Sequence, residues 1–325
     1  MTFLVLNNMQ LSQLVSIKKS IQLINLENSA EALSALSKSI DIGLLDIEQN
    51  YTEESAALRQ TYSTLENNLT NVKDNIKNLL ESIDKEILQR TSHYCRRGSI
   101  LDGIPVVEKM NAEAEIRTRI RLFPPEIKYD IFSIIRKFTS PQYPALELGP
   151  GNGQFTQYMV AGDPLYLVDI NQEFLEKAPT QFTFEYRKRI RTYQIDAHGF
   201  GDNDLSCLPQ NQFGFVLAID LMDFYTWDFV GDYLKNIYNV LRPGGTLMFT
   251  YNNCEEASAV ISVERGLRGW ATETDMKKTC VDIGYEIVET KNIPGHTYWA
   301  VVKKPGNLET NKIQQAMGEI VLAGS

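Results

Sequence analysis

A chain of 325 residues is too long for one small core and suits a domain of about 150–200 residues plus a second module. Its hydrophobic fraction of 43% and charged fraction of 22% are those of a soluble globular protein and argue against disordered, collagenous and membrane classes. A net charge of −9 argues against a general affinity for nucleic acid, since displacing counterions from a phosphate backbone needs a basic face.

The four cysteines, Cys95, Cys207, Cys254 and Cys280, form no C-x-x-C pair, so neither a zinc site nor a disulfide framework is signalled, and they read as free thiols in a reducing compartment. The opening MTFLVLNNMQ has an apolar patch but no basic n-region or small-residue cleavage site. No stretch approaches the ~18 apolar residues of a spanning helix, so the expected location is the cytoplasm.

Residues 1–92 read as a helical, coiled-coil-like region. Leu11, Leu14, Ile17, Ile21 and Ile24, then Leu33, Leu36 and Ile40, give loose helical spacing, with breaks expected at Gly43 and around Asn50-Tyr51-Thr52, where Thr52 suits an N-cap. From Leu58 the pattern tightens into heptads. Tyr62, Leu69, Ile76 and Ile83 hold one core position and Leu58, Leu65, Val72 and Leu79 the other. A lone seam this narrow cannot hide its apolar stripe, so these helices must fold on one another or pair with a second copy or another protein.

Residues 93–143 read as linker and cap helices, with Arg96-Arg97, then Arg117, Arg119 and Arg121, more in keeping with a solvated face than an anion site. Pro124-Pro125 sits where a helix from about Glu126 to Phe138 begins.

After Pro144 the pattern becomes alternating strand and helix. ALEL, LYLVDI, IRTYQID, FGFVLAID and TLMFTY are short runs apolar on both faces, and helical patterns lie between them at Phe155–Val160, Glu173–Ala178 and Phe229–Leu241. A helix from about Glu273 to Ile283 and two strands, YEIVETK and HTYWAVVKK, complete the set; the short link at Asn292-Ile293-Pro294-Gly295 suits antiparallel neighbours. The expectation is an α/β, Rossmann-like domain over 144–304, with a mostly parallel seven-stranded sheet. A tail at 305–325 with a short helix follows.

The first strand runs into ELGPGNG, where Gly149, Gly151 and Gly153 alternate with Pro150 and Asn152. In a doubly wound sheet this first turn lies where backbone comes nearest to the ligand. Asp169 follows Gly149 by 20 residues at the end of the second strand, where a carboxylate can accept both hydroxyls of a ribose. Asp196 and Ala197 end the third strand, placed to hold the edge of an adenine. Glu147, just before the glycines, would repel a pyrophosphate but suit a ligand carrying an ammonium and a sulfonium.

These segments, with FGFVLAIDLMDFY and VLRPGGTLMFTY, resemble the class I S-adenosylmethionine-dependent methyltransferases over about Pro144 to Lys304. The resemblance implies S-adenosyl-L-methionine as cofactor. Glu147, Gly149, Pro150, Gly151, Asn152 and Gly153 would face its methionine part, Asp169 its ribose hydroxyls, with Ile170 also in the cofactor site, and Asp196 and Ala197 its adenine; Ile219, Asp220 and Leu221 would border the methyl group. A nicotinamide dinucleotide is the competing ligand, but it calls for a glycine where Gln154 stands.

Methyl transfer demands alignment and a free lone pair more than elaborate acid–base chemistry. His198, beyond the third strand, is the candidate base, with Tyr225 a second catalytic candidate, Trp227 a wall of the substrate site and His296 a weaker histidine. Asp220-Leu221-Met222-Asp223 stands where the aminomethylating branch carries Pro-Pro-Tyr. Asp220 with Asn252-Asn253 faintly resembles the magnesium-holding set of cation-dependent O-methyltransferases, but its second carboxylate is missing, and no metal is expected. The run Arg187-Lys188-Arg189 with Arg191 reads as a solvated helix end rather than a contact for an acidic partner. The expected activity is methyl transfer to a small molecule or a sugar- or lipid-linked acceptor. An assembly protein with a methyltransferase-like domain is the alternative, and a nicotinamide-dependent oxidoreductase comes third.

Overall fold

A computed structural model describes residues 10–22, 52–94, 124–195, 204–293, 295 and 297–306. Two compact units, Met1–Ser92 and His93–Ser325, divide the chain.

In the first unit, helix α1 spans Leu11–Gln22 and helix α2 spans Thr52–Tyr94, 43 residues of which Thr52 is the first helical one rather than the cap before it. Leu14 and Ile83 are fully buried against each other's neighbours Ile17, Ile21, Leu79 and Ile87, and Lys18 pairs with Asp84 at 2.6 Å. The heptad seam is thus covered within the chain at Leu79 and Ile83. Farther up α2, Leu65 is 53% and Val72 49% exposed, so one helix serves two environments. The segments around Leu33, Leu36, Ile40 and Gly43, and those holding Arg96, Arg97, Arg117, Arg119 and Arg121, lie outside the described residues.

The second unit is built on seven strands: β1 Ala145–Leu148, β2 Leu165–Asp169, β3 Ile190–Gln194, β4 Phe213–Ala218, β5 Leu241–Thr250, β6 Glu286–Ile293 and β7 Thr297–Lys303. Their order is β3-β2-β1-β4-β5-β7-β6. The first five are parallel, and β7 runs antiparallel between β5 and β6. All four residues of β1 are buried, as a strand covered on both faces requires. At one edge β6 is mostly exposed and carries Glu286, Glu289 and Lys291, charges that discourage edge-to-edge association.

Helix α3, Pro125–Phe138, has proline in its first turn and buries Ile127, Ile131, Ile134 and Ile135, a helical stripe that packs with Phe215, Met248, Trp299 and Val301. Short helices α4, Gln172–Lys177, and α5, Phe184–Arg187, follow β2. Helix α6 spans Trp227–Val240 and α7 spans Ala257–Glu264. Helix α8 covers Glu273–Ile283, with Thr272 accepting from the Asp275 N–H at its start and Gly284 in the left-handed region at its end.

One expected helix is much reduced. The pattern at Phe155–Val160 forms only a 3-10 turn, Thr156–Tyr158. Eleven residues separate Gly153 from Leu165, and the chain must turn back at Gly162, where a Cβ would stand 2.3 Å from that of Ala145. Strand β5 starts earlier than expected, taking in Arg242-Pro243-Gly244-Gly245 through a register shift against β4.

Candidate functional site

Parallel pairing sets the carboxyl ends of β1, β2 and β4 side by side. Gly149 donates its N–H to Val168 O at 2.8 Å, which draws the glycine turn toward the end of β2. Gly149, Gly151 and Gly153 all have positive φ, 68°, 53° and 80°. At Gly153 a second constraint acts: a Cβ would meet Gln181 Nε2 at 2.5 Å and Ala178 Cα at 3.1 Å. The third glycine is therefore demanded by the chain's own packing, with Gln181 also bonded to Asn152 O. Beneath the turn, Glu147 is buried and accepts a 2.5 Å hydrogen bond from Thr156 Oγ1, itself fully buried.

Asp169 is buried at the end of β2, its Oδ1 accepting from the Asn171 N–H at 2.9 Å. Ile170 follows it, partly buried, and accepts from Gln194 Nε2 at the end of β3. Glu147, the glycine turn and Asp169 are thus brought together at the carboxyl ends of neighbouring strands. Asp196, Ala197 and His198 lie outside the described residues, as does His296.

The donor set fits the implied cofactor. A pyrophosphate seeks the N-terminus of a helix, where free N–H groups and the dipole meet its charge. Here the turn runs into three residues of 3-10 helix, and two buried carboxylates, Glu147 and Asp169, stand at the end of the adjacent strands. That environment is hostile to an anion and suited to a cationic amino acid and a ribose diol.

The end of β4 holds a closed polar ring. Asp220, with φ of 49°, donates its N–H to Thr250 Oγ1 at 2.8 Å, and Thr250 Oγ1 donates to Asp223 Oδ2 at 2.6 Å. Arg268 closes the ring: its Nη2 reaches Asp220 Oδ1 at 3.3 Å and its Nη1 stands 3.5 Å from Asp223 Oδ2. The guanidinium also lies over the Phe224 ring, 4.3 Å from its centroid. Gly269 locks the loop in place, since its N–H donates to Asp223 O at 2.7 Å and any Cβ there would stand 2.1 Å from Tyr225 O. Leu221 lies between the two aspartates at the start of the 3-10 turn Met222–Phe224.

Sequence reasoning missed Arg268, Thr250 and Thr156. A lone arginine in GLRGW carries no local signal, and its role follows from a contact across 48 residues. The pair Asp220 and Asp223 was legible only as spacing.

Tyr225 is buried, with its ring 4.7 Å from that of Phe229. Trp227 does not wall this region; its Nε1 donates to Thr279 Oγ1 on α8, because it opens α6 on the side facing that helix. Arg187 donates to the carbonyls of Thr180 and Phe182, Lys188 pairs with Glu185, Arg189 with Asp163, and Arg191 donates to Lys188 O, so the basic run is engaged locally. The Arg189 guanidinium holds the Asp163 carboxyl below its usual range. Asp220 is turned to Arg268, Asn252 Nδ2 donates to Ala259 O and Gly269 O, and Asn253 Oδ1 accepts from the Glu255 and Glu273 N–H groups. The amides of the faint magnesium resemblance thus serve their own loops.

A family model described as a methyltransferase domain matches residues 146–249. A search of curated proteins gives no match. Among solved structures, the [4+2]-cyclase SpnF is similar at 14% identity and a TM-score of 0.44, covering 55% of this chain and 82% of that one. A SAM-dependent methyltransferase from Aquifex aeolicus is 15% identical with a TM-score of 0.41, over 59% and 97% of the two chains. One from Methanosarcina mazei is 15% identical with a TM-score of 0.43, over 54% and 98%. The family match runs from β1 to β5 and so takes in the glycine turn, both acidic strand ends and the start of the polar ring. Residues 146–249 of this chain are thus matched as a methyltransferase domain, for which S-adenosylmethionine is the implied cofactor.

Proposed function

We propose that the protein is an active methyltransferase whose acceptor is a small molecule or a sugar- or lipid-linked compound. The observation that carries this reading is the pair of buried carboxylates, Glu147 and Asp169, at a glycine turn that no long helix follows. Glu147 and the turn Gly149-Pro150-Gly151-Asn152-Gly153 receive the methionine end, Asp169 and Ile170 the ribose, and Asp196 with Ala197 the adenine. Asp220 and Leu221 border the methyl group. S-adenosylmethionine supplies an electrophilic methyl carbon on a sulfonium; the residues of the chain align the acceptor and exclude water.

Calorimetric titration with S-adenosylmethionine and S-adenosylhomocysteine tests the cofactor site. Micromolar binding by the wild type and loss of at least tenfold in Asp169→Ala are expected; tight NAD binding with none of S-adenosylmethionine would overturn the reading. Once an acceptor is in hand, His198→Ala and Tyr225→Phe test the acid–base candidates, with a fall in kcat at unchanged cofactor affinity expected for a base.

A second reading is favoured by the bare apolar positions Leu65 and Val72 on α2: the N-terminal unit is an assembly surface, for a second copy or another protein. Light scattering on a Leu69→Lys, Ile76→Lys variant tests it, with a fall to monomer mass expected.

A further inference from the structure

Beside the polar ring at the ends of β4 and β5 lies a cavity of about 60 Å³, lined by Asp220, Asp223, Asn252, Ser262, Arg268 and Tyr298 among others. Its size admits one small polar group, the end of an acceptor rather than a whole molecule. Arg268 is 6% exposed, and its Nη1, though 3.5 Å from Asp223 Oδ2, makes no hydrogen bond to the described residues. A buried guanidinium N–H left without an acceptor is costly, so this donor is poised for an oxygen that none of the described residues supplies.

The charge around that donor selects the oxygen. Among the described lining residues, Asp220 and Asp223 face the single guanidinium of Arg268, and Asn252, Ser262 and Tyr298 are neutral, so acidic side chains outnumber basic ones there. An entering carboxylate or phosphate would be repelled by both aspartates while competing for an arginine already engaged. An ammonium would offer no acceptor to Nη1. An uncharged hydroxyl or carbonyl oxygen satisfies the donor without adding charge, and a hydroxyl can in turn donate to a neighbouring carboxylate.

We propose that this cavity is the acceptor subsite, taking an uncharged hydroxyl- or carbonyl-bearing group, with Arg268 as its specificity-determining donor. The proposal rests on the methyltransferase reading, which puts the end of β4 beside the transferred methyl. Only the functional group of the acceptor enters the cavity; the rest of the molecule lies outside it.

Saturation-transfer NMR on the full chain loaded with S-adenosylhomocysteine, titrated with benzyl alcohol, benzamide, benzoate and benzylamine, tests it. These probes share a ring and differ in the charge and hydrogen-bonding character of one end. Benzyl alcohol and benzamide should bind at least tenfold more tightly than benzoate or benzylamine. Arg268→Met should weaken benzyl alcohol at least tenfold. Ser262→Leu, which fills the cavity without touching the ring, should do the same, and it serves where Arg268→Met does not fold. The subsite fails if benzoate binds as well as the alcohol, if Ser262→Leu or folded Arg268→Met leaves the alcohol unaffected, or if none of the four binds while S-adenosylhomocysteine does. Failure of S-adenosylhomocysteine itself to bind would sink the methyltransferase reading and the subsite with it.

Discussion

Asp220 adopts a left-handed φ, a conformation that costs an ordinary residue about 1–2 kcal/mol and an aspartate less. Thr250 holds it there by accepting from its N–H while donating to Asp223, so one hydroxyl fixes the shape of the strand end. Thr250→Val keeps the shape of the side chain and removes both bonds. Chemical denaturation should show a loss of about 1–3 kcal/mol, the cost of buried groups left unpaired. Gly153→Ala combines a positive φ with two close contacts, and a loss of about 1–3 kcal/mol with weakened S-adenosylmethionine binding is expected. The cysteines divide by burial. Desolvation pushes the Cys280 thiol up to about 12, so almost none is thiolate at pH 8, whereas Cys207 is exposed. Brief iodoacetamide treatment followed by peptide mass spectrometry should find Cys207 modified, and Cys254 and Cys280 protected until the domain unfolds.

At the scale of elements, α2 shows how one pattern can meet two fates. Its heptad positions are alike in sequence, but Ile83 is fully buried beside α1 while Leu65 and Val72 are half exposed. Ile83→Ala should cost about 2–5 kcal/mol in the stability of the helical unit, and Leu88→Ala, at a site 72% exposed, close to nothing. Thermal melts of the two variants check the difference. The shortened turn after β1 makes a related point. Phe155–Val160 has helical character, yet it forms only one 3-10 turn before the chain doubles back at Gly162, which lies close against Ala145. Tertiary geometry there overrides local propensity, and the result bears on function, because a full helix N-terminus would have offered an anion site.

For the whole molecule, the division at Ser92 and His93 separates a helical unit from one that holds the glycine turn, the acidic strand ends and the polar ring. A fragment of residues 93–325 should therefore keep the S-adenosylmethionine affinity of the full chain within a few-fold. Calorimetry on the two proteins makes the comparison, and a loss beyond tenfold would show that the helical unit contributes to the cofactor site.

The seven strands, helices α3, α6 and α8 and the glycine turn were legible in the sequence by itself, because hydrophobic period, proline and glycine placement, and caps are local properties of the chain. So was the placement of Glu147, Asp169 and Asp220 at or near strand ends, which those same patterns fix. Arg268 was not, nor were its ring with Asp220, Thr250 and Asp223, the hold of Thr156 on Glu147, or the turning of Trp227 toward Thr279. Each of these depends on which strands lie side by side and which loop returns over them. Partners such as Asp220 and Arg268, 48 residues apart, are selected only when the sheet assembles.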